Sequence, residues 1–168
     1  MKLVPPDRPD LLALVADWLS DKNNYEWLDF EAGRQLVSSE WLDVAMQRGT
    51  LVMRVFTSDV DDAPIGVVGL SGVNHHFKTA TLWVVLGDKR SAGRGYASRA
   101  VSAMLTLGFQ SMGLRTINTW VVEHNPSIRV AERLRFRPAG RQRQCHYIDG
   151  LPYDRLWFDM LASEHQED

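Results

Sequence analysis

Gly93-Arg94-Gly95-Tyr96-Ala97 sits between two apolar patterns of different period. Before it runs Thr81-Leu82-Trp83-Val84-Val85-Leu86, then Gly87-Asp88-Lys89. After it, Ala97, Ala100, Val101, Met104, Leu105, Gly108 and Met112 recur at helical spacing. A strand, a short glycine loop and a helix N-terminus in that order make an anion cradle. The unpaired N–H groups of the first helical turn converge there, and the helix dipole favours negative charge. Glycines let the backbone approach an anion with no Cβ in the way. The same small residues also suit close packing at a strand-to-helix junction, so the pentapeptide alone leaves both readings open.

Two commoner phosphate patterns fail on spacing. A P-loop needs Gly-x-x-x-x-Gly-Lys-Ser/Thr, and the chain contains no Gly-Lys pair. The dinucleotide fingerprint needs a third glycine where Ser98 stands, and it should open the first strand-helix unit instead of lying mid-chain.

With 168 residues the chain reads as one domain, 1–168, large enough to bury a substantial core. A net charge of −2 gives no global pull toward nucleic acid or acidic membranes. The single cysteine, Cys145, cannot form an internal disulfide and fits a reducing, cytoplasmic setting. No apolar run reaches membrane-spanning length, and residues 1–10, with three prolines, lack the apolar core of a signal peptide. Residues 163–168 read as a polar, frayed tail.

Periodicity predicts a short strand near Leu3 and a helix over 10–19, then an irregular aromatic segment over 22–33. A second helix is expected over 31–48, closed by Gly49. Strands follow over 51–57, 65–73 and 79–86, then the long helix over 95–112. A strand over 116–122 and a short helix over 127–134 come next. Two final strands, 137–148 and 153–161, meet across Asp149-Gly150, a hairpin turn pair. The order gives an α/β domain on a mixed sheet.

A second landmark combines with the glycine loop: Ser127-Ile128-Arg129-Val130-Ala131-Glu132-Arg133-Leu134-Arg135-Phe136, following the strand that ends at Val122. Together they resemble the GNAT superfamily of acetyl-CoA-dependent N-acetyltransferases. The nearest likeness is to the branch containing the ribosomal-protein N-terminal acetyltransferases. That branch shows Gly-Asp, a spacer, Trp-Gly-Lys-Gly-Tyr-Ala-Thr-Glu-Ala, then Asn-x-x-Ser before a helix ending Leu-Gly-Phe. The matching text is Gly87-Asp88 and Ala92-Gly93-Arg94-Gly95-Tyr96-Ala97-Ser98-Arg99-Ala100. The resemblance implies the GNAT fold: a mixed, mostly antiparallel sheet of six to seven strands flanked by about four helices. It also implies acetyl transfer to a primary amine of a small molecule, an amino sugar or a protein N-terminus. A different acyl-CoA donor, or a non-catalytic acyl-CoA-binding module, is the alternative. The partners implied are acetyl-CoA and an amine, with no metal, nucleic acid or membrane and with room for a homodimer.

By the same resemblance, Ala92, Gly93, Arg94, Gly95, Tyr96 and Ala97 would hold the pyrophosphate, and Val84 and Val85 would offer backbone groups to the pantetheine arm. Asn125 and Arg129 are further cofactor candidates, Arg129 for the 3′-phosphate. Four departures stand out. Ala92 occupies the Gln/Arg position of the loop signature, His124 the usual Asn position, Ala131 the position of a tyrosine general acid, and Arg135 that of the glycine before Phe136. The last implies a different helix ending.

Acyl transfer from a thioester needs a held donor, a stabilised oxyanion, and proton movement off the amine and onto the thiolate. Ser127 is the candidate general acid and, at a helix start, also reads as an N-cap. His124 is the second catalytic candidate; Glu123, His146, Tyr147 and Asp154 also lie where a cleft would gather them. Water relaying the amine proton is an equal account. His75-His76 point to opposite sides of a strand and cannot chelate as a pair, and Cys145-His146 fail as a nucleophile pair for the same reason. Six arginines between 129 and 143 read as a solvated face or an anion site, and the tryptophans between 18 and 157 as core or cleft wall.

Overall fold

The computed structural model describes residues 1–30 and 36–166. Among them, seven strands form a single sheet in the order β1-β2-β3-β4-β5-β7-β6. The strands are β1 (Leu3–Val4), β2 (Leu51–Thr57), β3 (Pro64–Asn74), β4 (Thr79–Leu86), β5 (Thr116–Val122), β6 (Arg137–Ile148) and β7 (Leu151–Leu161). Every neighbouring pair is antiparallel except β4 and β5. The helices are α1 (Pro9–Ser20), α2 (Lys22–Tyr25), α3 (Ser39–Gln47), α4 (Tyr96–Thr106) and α5 (Ile128–Arg133). The element order predicts the mixed α/β sheet, and the mostly antiparallel pairing is what the resemblance implies, with five helices where about four are expected.

Strand alternation builds two cores, one on each face. On one, Val68, Leu70, Ala80, Leu82 and Ile117 pack beneath Ala100, Val101, Met104 and Leu105 of α4. On the other, Met53, Val55, Val67, Trp83 and Val85 meet Leu11, Val15 and Leu19 of α1 and Leu42 of α3. Each fully buried aliphatic side chain contributes roughly 1.5–3 kcal/mol of burial, so the two helical layers hold the sheet between them.

The predicted helix over 31–48 does not run through residues 36–38. Its first residues, 31–35, fall outside the described part, and α3 begins only at Ser39. Ser38 stays extended, and its Oγ accepts from the Trp41 N–H at 3.2 Å as an N-cap. One residue earlier, the Val37 N–H is bonded to the Ser20 hydroxyl, which holds the chain extended before the cap. Within 22–33, expected to be irregular, residues 22–25 form α2 because Asp21 Oδ1 accepts from the Asn23 N–H. Nor is the C-terminal end free as expected. Glu164 pairs with Arg137 at 2.7 Å and His165 meets the Thr106 hydroxyl at 2.8 Å; residues 167–168 lie outside the described part.

Arg135 changes the expectation for α5. The helix does close with the usual left-handed residue, and Arg135 itself adopts it at φ +62°. Phe136 N–H reaches the Ala131 carbonyl and Arg135 N–H that of Glu132, both at 3.0 Å, the two bonds of a Schellman ending. A non-glycine residue there costs about 1–2 kcal/mol, which burial of Phe136 offsets.

At the end of β4 the chain turns at Gly87, directly under the Trp18 indole. A Cβ at Gly87 would lie 2.1 Å from Trp18 Cε2 and 2.3 Å from Cδ2. Gly87→Ala is therefore expected to cost about 1–3 kcal/mol by overpacking, read as a lower urea midpoint with an unchanged slope. An unchanged midpoint would mean that the indole moves aside freely.

Candidate active site

The parallel pairing of β4 with β5 covers only Thr79–Thr81 against Thr116–Asn118. Beyond it the strands part. The Thr119 hydroxyl donates to the Leu82 carbonyl at 2.9 Å, and past this point the two strands line opposite walls of a cavity of about 550 Å³. Leu82 to Leu86 form one wall and Thr119 to Val122 the other. Ala97, Val101, Val130 and Ala131 close the α4–α5 end, and Asn23, Asn24, Trp27 and Leu28 the α2 end.

A strand turns the N–H and C=O of alternate residues to the same side. Since Leu82 faces β5, Val84 presents its backbone to the gap. Val85 turns its own to β3, where Val67 is its partner. Both valines line the cavity, yet only Val84 has backbone groups to offer there.

At the α4 end, Gly93 and Gly95 sit at φ +77° and +79°, with Gly95 as the residue before the first helical turn. Two left-handed residues bracketing Arg94 fold the loop so that the N–H groups entering α4 are left to a ligand. Ala92, Gly93 and Arg94 are exposed, and Ala97 faces the cavity. Tyr96 is different: its ring is 5% exposed, and its hydroxyl accepts from the Asp59 N–H at 3.1 Å. Its side chain anchors the loop to the β2–β3 turn and cannot reach an anion, so only its backbone belongs to the cradle. A residue not singled out in the sequence stands here too. The Arg133 guanidinium lies 3.7 Å from where a Gly95 Cβ would be. Its position one helical turn after Arg129 was the available signal.

At the start of α5 the expected cap is reversed. Ser127 has helical φ and ψ, and its hydroxyl makes no capping bond. Asn125 does that work, its Oδ1 accepting from the Ser127 N–H at 2.8 Å. Ser127 is half-buried, lines the cavity and keeps its hydroxyl for a ligand. His124 goes the other way: at φ +69° its ring is 79% exposed and lies outside the cavity lining. Arg129 is exposed on α5, also outside that lining.

The remaining base candidates are engaged elsewhere. Glu123 Oε1 accepts from the Asp154 N–H at 2.8 Å, and Asp154 pairs with Arg141 at 3.2 Å. Tyr147 is exposed. His146 is buried, with Nε2 2.7 Å from the Glu26 carbonyl and Nδ1 3.0 Å from an Arg155 guanidinium nitrogen. A carbonyl only accepts and a guanidinium only donates, so His146 is the neutral Nε2–H tautomer. Burial, opposed by the bond to Glu26 and assisted by Arg155, holds its pKa below the ordinary value. Arg155 also pairs with Asp29 at 2.9 Å and stacks 4.1 Å from the Trp120 ring. This chain of contacts ties residues 26–29 to β7 beside the cavity.

Among the described residues, Lys89 is the one ionisable side chain lining the cavity, and no group of three or more His, Cys, Asp or Glu could hold a metal ion. Also among them, no helix is long and apolar enough to cross a membrane.

A family model described as an acetyltransferase (GNAT) domain matches residues 1–137. The chain is 26% identical over 153 residues to an uncharacterized N-acetyltransferase p20 of Bacillus licheniformis, covering 83% of this chain and 85% of that protein. A shorter stretch of 75 residues, 44% of this chain and 42% of the relative, is 32% identical to a prophage-derived uncharacterized N-acetyltransferase, YokL, of Bacillus subtilis (strain 168). Among solved structures, the spermidine N-acetyltransferase of Vibrio cholerae in complex with CoA and spermine superposes with a TM-score of 0.84. That match has 20% identity and covers 98% of this chain and 96% of that one. At this identity the likeness is one of fold.

Proposed function

Because the chain belongs to the GNAT acetyltransferase family, we propose that it moves the acetyl group of acetyl-CoA to the primary amine of a small molecule by direct attack. One observation carries this reading: β4 leaves β5 where the gap opens onto the glycine-built N-terminus of α4. On this reading residues 1–168 act as a single domain, supported by one sheet running from β1 to β7.

The pyrophosphate goes to the backbone N–H groups of 93–97, with Ala92 contributing backbone alone. Arg94, Arg129 and Arg133 supply positive charge from outside the cavity, at least one being needed to offset the phosphates. The pantetheine arm lies along β4 and takes the backbone groups of Val84 that β5 leaves free. The Asn125 amide nitrogen is a further donor. With the thioester beside Val84, its N–H faces the oxygen that becomes negative on attack. The amine lone pair attacks the carbonyl carbon, the C–S bond breaks, and the thiolate takes the Ser127 hydroxyl proton while the amine loses one. No described cavity residue is a natural base, so water carries the amine proton to the Ser127 oxygen and restores its hydroxyl, and orientation supplies much of the acceleration. His124, turned to solvent, has no part in this scheme.

The loop text keeps a protein N-terminus, as in the ribosomal-protein branch, as a second acceptor. A cavity of about 550 Å³, with Trp27 and Leu28 in its wall and their neighbours Glu26 and Asp29 tied to His146 and Arg155, favours a compact amine instead.

Ser127→Ala tests the acid. Loss of general acid catalysis lowers kcat by about 100-fold or more, while the melting temperature stays put because no cap bond is lost. Unchanged turnover, or a lower melting temperature with full turnover of the folded enzyme, would return Ser127 to a structural role.

A further inference from the structure

The α2 end of the cavity has a definite charge. Lys89 Nζ donates to Asn24 Oδ1, and Asn24 Nδ2 donates to the Trp18 carbonyl at 2.8 Å. Asn24 is buried. Its oxygen faces a pure donor and its nitrogen a pure acceptor, so the amide has one orientation. Trp18 is pressed against Gly87, two residues before Lys89. The ammonium is thus placed by a buried amide bonded at both its oxygen and its nitrogen, and one of the ammonium's three donors is spent there. Two remain. The residue as a whole is exposed, but its tip turns in against Asn24, where lost water pushes its pKa down and Asp21 opposes the shift. Asp21 itself is occupied in capping α2.

The surroundings complete the description. Trp27, Leu28, Trp83 and Trp120 give apolar walls, and among the described residues no carboxylate lines the cavity. A polyamine would bring extra ammonium groups to a site whose described lining offers them aromatic faces but no carboxylate, beside a fixed cation. An acceptor with an anionic group meets the reverse situation.

Resting on the transferase reading above, we infer that the acceptor is an amino carboxylate with an apolar side chain, and that Lys89 receives its carboxylate. The two free ammonium donors take the carboxylate oxygens, and the tryptophan walls take the side chain. A cation near the acceptor amine also disfavours its ammonium form, which supplies nucleophile where no base is at hand.

Matched pairs differing only in the carboxylate read this directly: phenylalanine against phenethylamine, and leucine against isoamylamine, with spermidine as the polyamine. The wild-type enzyme is expected to have a kcat/KM on the order of 10- to 100-fold higher for the carboxylate member of each pair. Lys89→Met removes that difference through KM, and Lys89→Glu inverts it toward the amines. Acetyl-CoA affinity, measured by calorimetry without acceptor, stays at the wild-type value in both. Preference for spermidine or phenethylamine in the wild-type enzyme overturns the inference, as does acetylation of no member of the panel while acetyl-CoA still binds. Weaker acetyl-CoA binding in the Lys89 variants also overturns it, by assigning the ammonium to the donor. If the wild-type protein does not bind acetyl-CoA, the transferase reading itself fails.

Discussion

Gly95→Glu is expected to raise the dissociation constant for acetyl-CoA by about 100-fold or more, with the fold retained. Two effects combine. At φ +79° any side chain is strained, by about 1–2 kcal/mol, and that part shows as stability. The glutamate then sets a carboxylate against the pyrophosphate in the cradle, and like-charge juxtaposition at a binding interface costs several kcal/mol. Each 1.4 kcal/mol is a factor of ten in affinity. Gly95→Ala separates the two, since it carries the strain without the charge. It should lower the melting temperature comparably and weaken acetyl-CoA by less than about tenfold. A Cβ there has room, its nearest neighbour being Arg133 at 3.7 Å, so clash does not confuse the comparison. Wild-type affinity in Gly95→Glu would place the pyrophosphate elsewhere and remove the basis of the transferase reading.

The strands are readable because they follow simple periods: 51–57, 79–86, 116–122 and 137–148 coincide with β2, β4, β5 and β6; the helix expected over 95–112 ends as α4 at Thr106 and continues as a π turn over Leu107–Ser111. The failures have local causes. Of the helix predicted over 31–48, the described residues 36–38 fall outside α3 because their backbone is fixed by Ser38 and by the Ser20–Val37 bond. Ser127 reads as a cap because residue type suggests one, whereas the cap lies two residues earlier, where Asn125 Oδ1 accepts from the N–H of Ser127 itself. Arg135 read as a changed helix ending because its type conceals a left-handed φ.

The cavity itself was only half legible. The end proposed for the donor, Val84 with the loop from Gly93 to Ala97, comes from one short stretch of sequence, and a motif can record it. Its other end joins Asn24, Lys89 and Trp120, with Arg155 and His146 behind them, residues far apart in the chain. No local pattern carries such a set. Strand alternation could have separated Val84 from Val85, but only once a cross-strand bond, Thr119 to Leu82, fixed the phase.

That second end is also where the largest structural loss is expected. Arg155→Met removes the pair with Asp29, the bond to His146 Nδ1 and the stack on Trp120 together. Breaking a fully buried pair costs 3–5 kcal/mol; with Asp29 30% and Arg155 15% exposed, about 2–3 kcal/mol is expected here. The acceptor KM should rise several-fold as residues 26–29 loosen, while the acetyl-CoA dissociation constant, set at α4, stays unchanged. His146 adds a pH signature. Its folded pKa lies below the ordinary 6.5, so between the two values the unfolded chain binds more protons and stability rises with pH. The wild-type contribution is full above about 6.5 and is lost as pH falls through the folded value, where a proton on Nδ1 would face the Arg155 guanidinium. With Arg155 gone water enters and the repulsion disappears, so the fall below about pH 6.5 becomes shallower from a lower start. His146→Gln should remove it. Melting curves across that range decide the matter: parallel wild-type and Arg155→Met profiles would mean that Arg155 does not face the imidazole, and an unchanged acceptor KM would detach this network from the site.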